Sequence, residues 1–153
     1  MRRLLLPIKL AEINSMAFLG GESKLWQYVR DGMGNRWDAQ RIEDSLSVGI
    51  PDISYCITVN GWIELKHVPK APIKSETVMK IKHWTAEQEN WLITRGKRGG
   101  SCFVLIQIEN CYLLIDWSEC HLIGKVNFTQ LCDAAIRVWH SRINWEELTK
   151  LLS

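Results

Sequence analysis

The sequence predicts a mixed α/β (α+β) domain, a central mixed sheet of about five strands flanked by helices. Three observations carry this expectation. Apolar residues at helical spacing precede the first strands, in Leu25, Trp26, Tyr28 and Val29. Runs rich in β-branched and aromatic residues follow, from Ile53 to Val59, Trp62 to Lys66, Ser101 to Ile108 and Cys111 to Trp117. Helical patterns with capping signals then separate and follow those runs. A chain of 153 residues, 46% apolar and 24% charged, is one ordinary globular domain (1–153), long enough to bury a core. Its core spans about 20–117 and its C-terminal helices 128–152.

The first helix starts near Ser23, or a turn earlier if Asn14 or Ser15 caps it, and stops at Asp31-Gly32. In the longer version Glu22 shares the face of Leu25, Trp26 and Val29, which turns one carboxylate inward; helix N-terminal charge preference explains Glu22 as well. Arg36 to Ile42 reads as a strand or an irregular crossing segment, on which Arg41 and Glu43 share a face. After Lys66, prolines and lysines make a loop that Val78 to Ile81 interrupts with an extended piece. Thr85-Ala86-Glu87-Gln88 opens a helix with a capping box, and Gly96 ends it. Ser101 to Ile108 and Cys111 to Trp117 form a buried hairpin around Glu109-Asn110. Phe128 to Trp139 is helical by spacing, with Trp139 on its apolar face, and Asn144 caps a last short helix.

Several classes are disfavoured. A net charge of +2 is too small to announce a nucleic-acid binder, so any basic surface is local. No run approaches the ~20 apolar residues of a membrane helix, and no membrane partner is expected. Met1-Arg2-Arg3 before Leu4-Leu5-Leu6 is too short for a signal peptide and reads as an intracellular, cytoplasmic start. The five cysteines form no C-x-x-C pair and fit buried free thiols in a reducing compartment. Cys120-His121 has no second pair at zinc-site spacing.

One stretch is chemically distinctive. Asp52 follows the turn Gly49-Ile50-Pro51, and Glu64 and Lys66 lie two apart in an otherwise apolar strand. Charges there are costly unless they are paired or bind a metal. Two carboxylates and a lysine suit a hard divalent cation with a positive charge beside it, the equipment for cutting a phosphodiester.

Gly49-x-Pro51-Asp52, then Glu64-x-Lys66, then Gln88 in the next helix, resemble the P-D…(D/E)-x-K nuclease superfamily over roughly residues 20–115. Within it the chain looks most like small phage and archaeal Holliday junction resolvases and the virus-type replication-repair nucleases. The resemblance implies a restriction-endonuclease-like core with Mg²⁺ or Mn²⁺ at the sheet edge. It also implies hydrolysis of DNA phosphodiesters, branched or junction DNA as substrate, a homodimer, and a place in recombination, replication or repair, in a prokaryotic cell or a phage-infected host. By the same resemblance Asp52, Glu64 and the backbone carbonyl of Leu65 hold metal, Lys66 lies beside the attacking water, and Glu22 is the acidic residue of the first helix. Glu43 is an alternative for that last role. Gln88 hydrogen-bonds within the site or serves only the capping box. An alternative function is a nuclease-fold DNA-binding or assembly protein without catalysis.

Patterning tests the geometry independently of the family. Asn60-Gly61 is a strong hairpin signal, but taken literally it pairs Ile57 with Glu64 and leaves Asp52 about 17 Å away at ~3.4 Å per residue. A register shifted by an odd number puts Asp52, Ser54, Cys56 and Thr58 with Trp62, Glu64 and Lys66, and leaves Ile53, Tyr55, Ile57, Val59, Ile63 and Leu65 as a clean core face. That register needs a wider loop around Ile57 to Asn60. Beyond the site, Arg95, Lys97 and Arg98 form a basic turn suited to DNA phosphates, or simply a solvated helix C-terminus. Trp62 and Trp84 are candidates for stacking or a dimer contact.

Overall fold

The computed structural model describes residues 20–153. The suggested helix starts at Asn14 or Ser15 and the reading of Met1-Arg2-Arg3 lie outside them. Four helices, α1 (Gly21–Met33), α2 (Ala86–Lys97), α3 (Phe128–Ala134) and α4 (Trp145–Leu152), pack on a mixed six-stranded sheet. Its strands are β1 (Asp38–Arg41), β2 (Ile53–Cys56), β3 (Asn60–Val68), β4 (Ser101–Ile108), β5 (Cys111–Asp116) and β6 (Arg137–His140), in that spatial order. Only β3 and β4 pair in parallel, joined by the crossover that contains α2; the other neighbours are antiparallel.

Alternation along the strands makes two cores. Ile53, Tyr55, Ile63, Leu65, Phe103, Leu105 and Leu114 face α1 and α4, meeting Leu25, Val29, Met33 and Leu148. Val104, Ile106, Leu113 and Ile115 face the other way, towards Leu92 of α2, Leu131 of α3 and the Met79–Ile81 segment. Val78 in that segment makes an isolated antiparallel bridge to Asn127. Among the described residues no helix is long and apolar enough to cross a membrane.

Four features differ from the expectation. The sheet has six strands, not about five, because part of the stretch expected to be helix is β6. The C-terminal region is therefore helix, strand, helix: α3 stops at Ala134, Ala135 is extended, and the Ile136 N–H donates to the Leu114 carbonyl at 2.8 Å. Trp139, 5% exposed, is consequently buried on a strand. Helix α1 runs past Gly32 to Met33 and ends at Gly34, whose φ of 54° is the glycine-favoured conformation. Strand β2 ends early, so that Ile57 and Val59, expected on its core face, lie in the connection with Val59 40% exposed; Asn60-Gly61 belongs to β3, and the wider loop that the shifted register needs is Ile57–Val59, closed by an Ile57 N–H to Val59 carbonyl bond of 3.2 Å.

The last difference has a packing cause. Gly61 pairs with Tyr55, and a Cβ at Gly61 would sit 2.2 Å from the Tyr55 ring. The glycine thus makes room for an aromatic side chain that is 2% exposed and whose hydroxyl donates to the Leu152 carbonyl at 3.0 Å. Tertiary burial of Tyr55 outweighs the local turn propensity.

Candidate active site at the open edge of β3

Strand β2 pairs with β3 only as far as Ile53 opposite Ile63. The next opposing residues are Asp52 and Glu64, so the two carboxylates face each other where β2 leaves the sheet. This is the odd-shifted register that the hydrophobic pattern favours. Beyond it, the second half of β3 is hydrogen-bonded to β4 but open on its other side. Asp52 partly fills that opening: its Oδ2 accepts from the Leu65 N–H at 2.8 Å. Since the N–H and C=O of a strand residue point to the same neighbour, the Leu65 carbonyl opens into the same gap.

The Gly-x-Pro-Asp segment is held against α2. Gly49 has φ 87°, and a Cβ there would lie 2.6 Å from the Glu87 carbonyl oxygen, so only glycine lets the turn approach the first turn of α2 this closely. The Ile42 N–H donates to the Asp52 carbonyl at 2.7 Å, which ties the turn to the end of β1.

Glu64 and Lys66 are each 2% exposed. Glu64 Oε1 accepts from Lys66 Nζ at 2.8 Å and from Gln88 Nε2 at 2.7 Å. Lys66 Nζ also donates to the His83 carbonyl at 3.1 Å and lies 3.9 Å from Glu22 Oε1. Gln88 therefore does both things weighed for it, since its Oε1 accepts from the Thr85 N–H at 3.1 Å in the capping box. The same side chain fixes the start of α2 and orients Glu64.

Glu64 Oε2 is buried and has no hydrogen-bond partner. Burial first, then the Asp52 charge and to a lesser degree that of Glu22, push the Glu64 carboxyl up to about 7 against the opposing pull of Lys66. Burial likewise raises Asp52, opposed by the Leu65 N–H and by the charges of Lys66 and Arg41. A cation with oxygen ligands would relieve both carboxylates. Among the described residues no group of three His, Cys, Asp or Glu side chains is placed to hold a metal ion. The donors available are Asp52, Glu64 and the Leu65 carbonyl, a set that suits Mg²⁺, which binds through one or two carboxylates and keeps several waters.

Of the acidic alternatives, Glu22 is within ion-pair reach of Lys66, whereas Glu43 shares a groove wall with Asp52 and makes no ion pair among the described residues. Lys97 and Arg98 lie at the far end of α2, and Arg95 stacks on Trp91 and Trp62. Trp84 is half-buried beneath α2, with its indole N–H lacking a partner. Cys120 is a buried free thiol, and His121 faces the Ser118 carbonyl.

Two contributors carry no motif signal. Arg41, whose charge acts on Asp52, is held by the Ser23 hydroxyl at 3.2 Å and lines a groove of about 370 Å³ with Glu22, His67, Lys82 and His83. His83 takes part through its carbonyl, aimed at Lys66 by a left-handed backbone with φ 61°. A group acting through its backbone leaves no trace in residue type.

No protein-family model matches the sequence, and no curated protein matches it. Among solved structures the chain is similar to Hjc of Archaeoglobus fulgidus, a Holliday junction resolvase from an archaeal hyperthermophile, with a TM-score of 0.52 and 13% identity. The match covers 86% of this chain and 97% of that one. The two share a fold.

Proposed function

We propose that this chain is a metal-dependent endonuclease that hydrolyses DNA phosphodiester bonds, with branched DNA, four-way junctions in particular, as its substrate. The observation that carries the reading is the buried Glu64 Oε2 without a hydrogen-bond partner, on a residue opposite Asp52 in the strand register, with the Lys66 ammonium on the other oxygen. A structural ion pair has no use for an oxygen left bare at such cost; a cation ligand does. The shared fold with an archaeal junction resolvase agrees with the substrate class.

In this reading Asp52, Glu64 and the Leu65 carbonyl hold Mg²⁺ or Mn²⁺. When bound, such a cation acidifies a water molecule and draws charge from a phosphate oxygen. Lys66 stabilises the attacking oxygen and the charge that builds on the phosphate, in a setting where burial strengthens its field. Gln88 holds Glu64 so that Oε2 is presented, and Glu22 and the His83 carbonyl keep the Lys66 ammonium in place. Two phosphodiesters are cut in a junction, so a homodimer with two such sites follows.

The second reading is a DNA-binding or assembly protein that keeps the fold without catalysis. Its support is the lack of three clustered side-chain ligands among the described residues. One experiment separates the two. Labelled four-way junction, flap, single strand and duplex are incubated with the protein in Mg²⁺, Mn²⁺ or EDTA, beside Glu64→Ala and Lys66→Ala. Cutting that needs metal and is lost in both variants is expected. Cutting that persists in both refutes the site, and binding without cutting in every metal favours the second reading. Chromatography of the protein alone and with junction checks the dimer.

A further inference from the structure

Trp62 and Trp91 meet edge to face, with ring centroids 5.1 Å apart and planes at 67°. Arg95 occupies the corner they form, its guanidinium carbon 4.6 Å from the Trp91 centroid and 5.8 Å from that of Trp62. Its stem runs close over Gly100, where a Cβ would lie 2.6 Å from Arg95 Cγ. A planar cation braced in this way has lost little entropy still to lose, and its N–H edge is what it presents.

A helix C-terminus attracts cations anyway, but that does not explain this geometry. The last carbonyls of α2 are already occupied: Arg95 O accepts from the Arg98 and Gly100 N–H groups at 3.2 and 3.0 Å, and Gly96 O from Gly99 at 2.9 Å. Among the described residues Arg95 forms no ion pair, although it is exposed. It opens with Arg98 onto a groove of about 490 Å³, also lined by Trp91 and Thr94. Glu87, the groove's one carboxylate, lies eight residues back along α2, about 12 Å at ~1.5 Å per residue.

We infer that Arg95, braced by Trp62 and Trp91 and assisted by Arg98, is a phosphate-binding subsite for the nucleic-acid backbone. This rests on the nuclease reading and gives it a register. Trp62 is two residues before Glu64 on the same face of β3, about 6.6 Å at ~3.3 Å per residue. Arg95 is seven residues beyond Gln88, about 10.5 Å along α2 at ~1.5 Å per residue. The subsite thus grips a backbone phosphate about 7–11 Å from the one at Glu64. Arg95 positions the strand and does not touch the reacting atoms.

The test is fluorescence anisotropy of a labelled four-way junction in EDTA over a range of salt, with wild type, Arg95→Ala, Arg95→Lys and, as a control, Lys150→Ala at an exposed lysine of α4. Cleavage in Mg²⁺ is measured in parallel. Arg95→Ala binds about tenfold more weakly, as for loss of a charge-assisted hydrogen bond. The slope of log K against log salt falls by about 0.9, one phosphate. Its cleavage loss appears in KM more than in kcat. Arg95→Lys, which keeps the charge without the planar fork, keeps the slope and binds at least about threefold more weakly; Lys150→Ala stays at the wild-type affinity. If the alanine variant does not fold, the lysine variant decides alone. Wild-type affinity in both Arg95 variants, with cleavage intact, overturns the subsite but leaves the nuclease reading standing. A wild-type protein that neither binds nor cuts any DNA overturns both.

Discussion

Replacing Glu64 by glutamine separates the stability of the fold from the chemistry of the site. The folded Glu64 carboxyl titrates at about 7, against 4.5 for an ordinary glutamate, because it is buried and faces Asp52. Its folded pKa is therefore raised, so the stability it contributes is fully present below about pH 4.5 and is lost as the pH climbs through 7. The linkage integral between pH 5 and pH 8 is about 2–3 kcal/mol, which for a chain of this size is a shift of about 5–10 °C in melting temperature. The 2% exposure of Glu64 leaves little solvent to screen it. Glutamine keeps an oxygen for Lys66 and Gln88 but cannot ionise, so any constant cost of weakening the Lys66 contact appears equally at both pH values. Urea unfolding in EDTA at pH 5 and pH 8 measures the difference. Wild type is expected to lose about 2–3 kcal/mol more than Glu64→Gln between those two pH values. Parallel pH dependence in the two proteins would mean that Glu64 is not held at a raised pKa and that the burial argument is wrong.

Other substitutions probe the supports of the site. Lys66→Ala leaves the buried Glu64 without its cation, and a loss of about 3–5 kcal/mol at pH 8 is expected from urea melts, smaller at pH 5 where Glu64 can protonate. Thr85→Ala removes the hydroxyl that accepts from the Gln88 backbone N–H but keeps the backbone N–H that holds Gln88 Oε1; a stability loss of about 1 kcal/mol is expected from urea melts, with the cleavage rate at saturating DNA little changed. Gly49→Ala drives a methyl into the Glu87 carbonyl at an unfavourable φ and should cost about 1–3 kcal/mol while separating Asp52 from α2, read as weaker metal stabilisation in a thermal shift. Tyr55→Phe removes the buried bond to the Leu152 carbonyl and should cost about 1–2 kcal/mol without affecting cleavage.

The mixed α/β class and the site's register were legible because they depend on periodicity. Ile53, Tyr55, Ile63 and Leu65 must share a buried face, and that sets the parity of the pairing, within which the Ile53–Ile63 pair brings Asp52 opposite Glu64. What patterning missed was set by contacts remote in sequence. Asn60-Gly61 has the letters of a turn, yet Gly61 is a glycine because Tyr55 lies over it. Ile136-Arg137-Val138-Trp139 continues an apolar spacing that fits a helix, but β5 offers it an open edge, and its β-branched and aromatic residues take it. The same limit applies at the site. Asp52, Glu64 and Lys66 announce themselves as charges in apolar surroundings, whereas Arg41 and the His83 carbonyl reach it only through folding.

The most direct test of the account is a calorimetric titration of Mn²⁺ into the DNA-free protein, for wild type, Asp52→Asn and Glu64→Gln. Wild type is expected to bind the ion and to release protons as it does so at pH 7, because Glu64 sits near its titration point; each variant should lose most of the binding. Equal binding by all three proteins, or none by wild type, would contradict a cation site between Asp52 and Glu64.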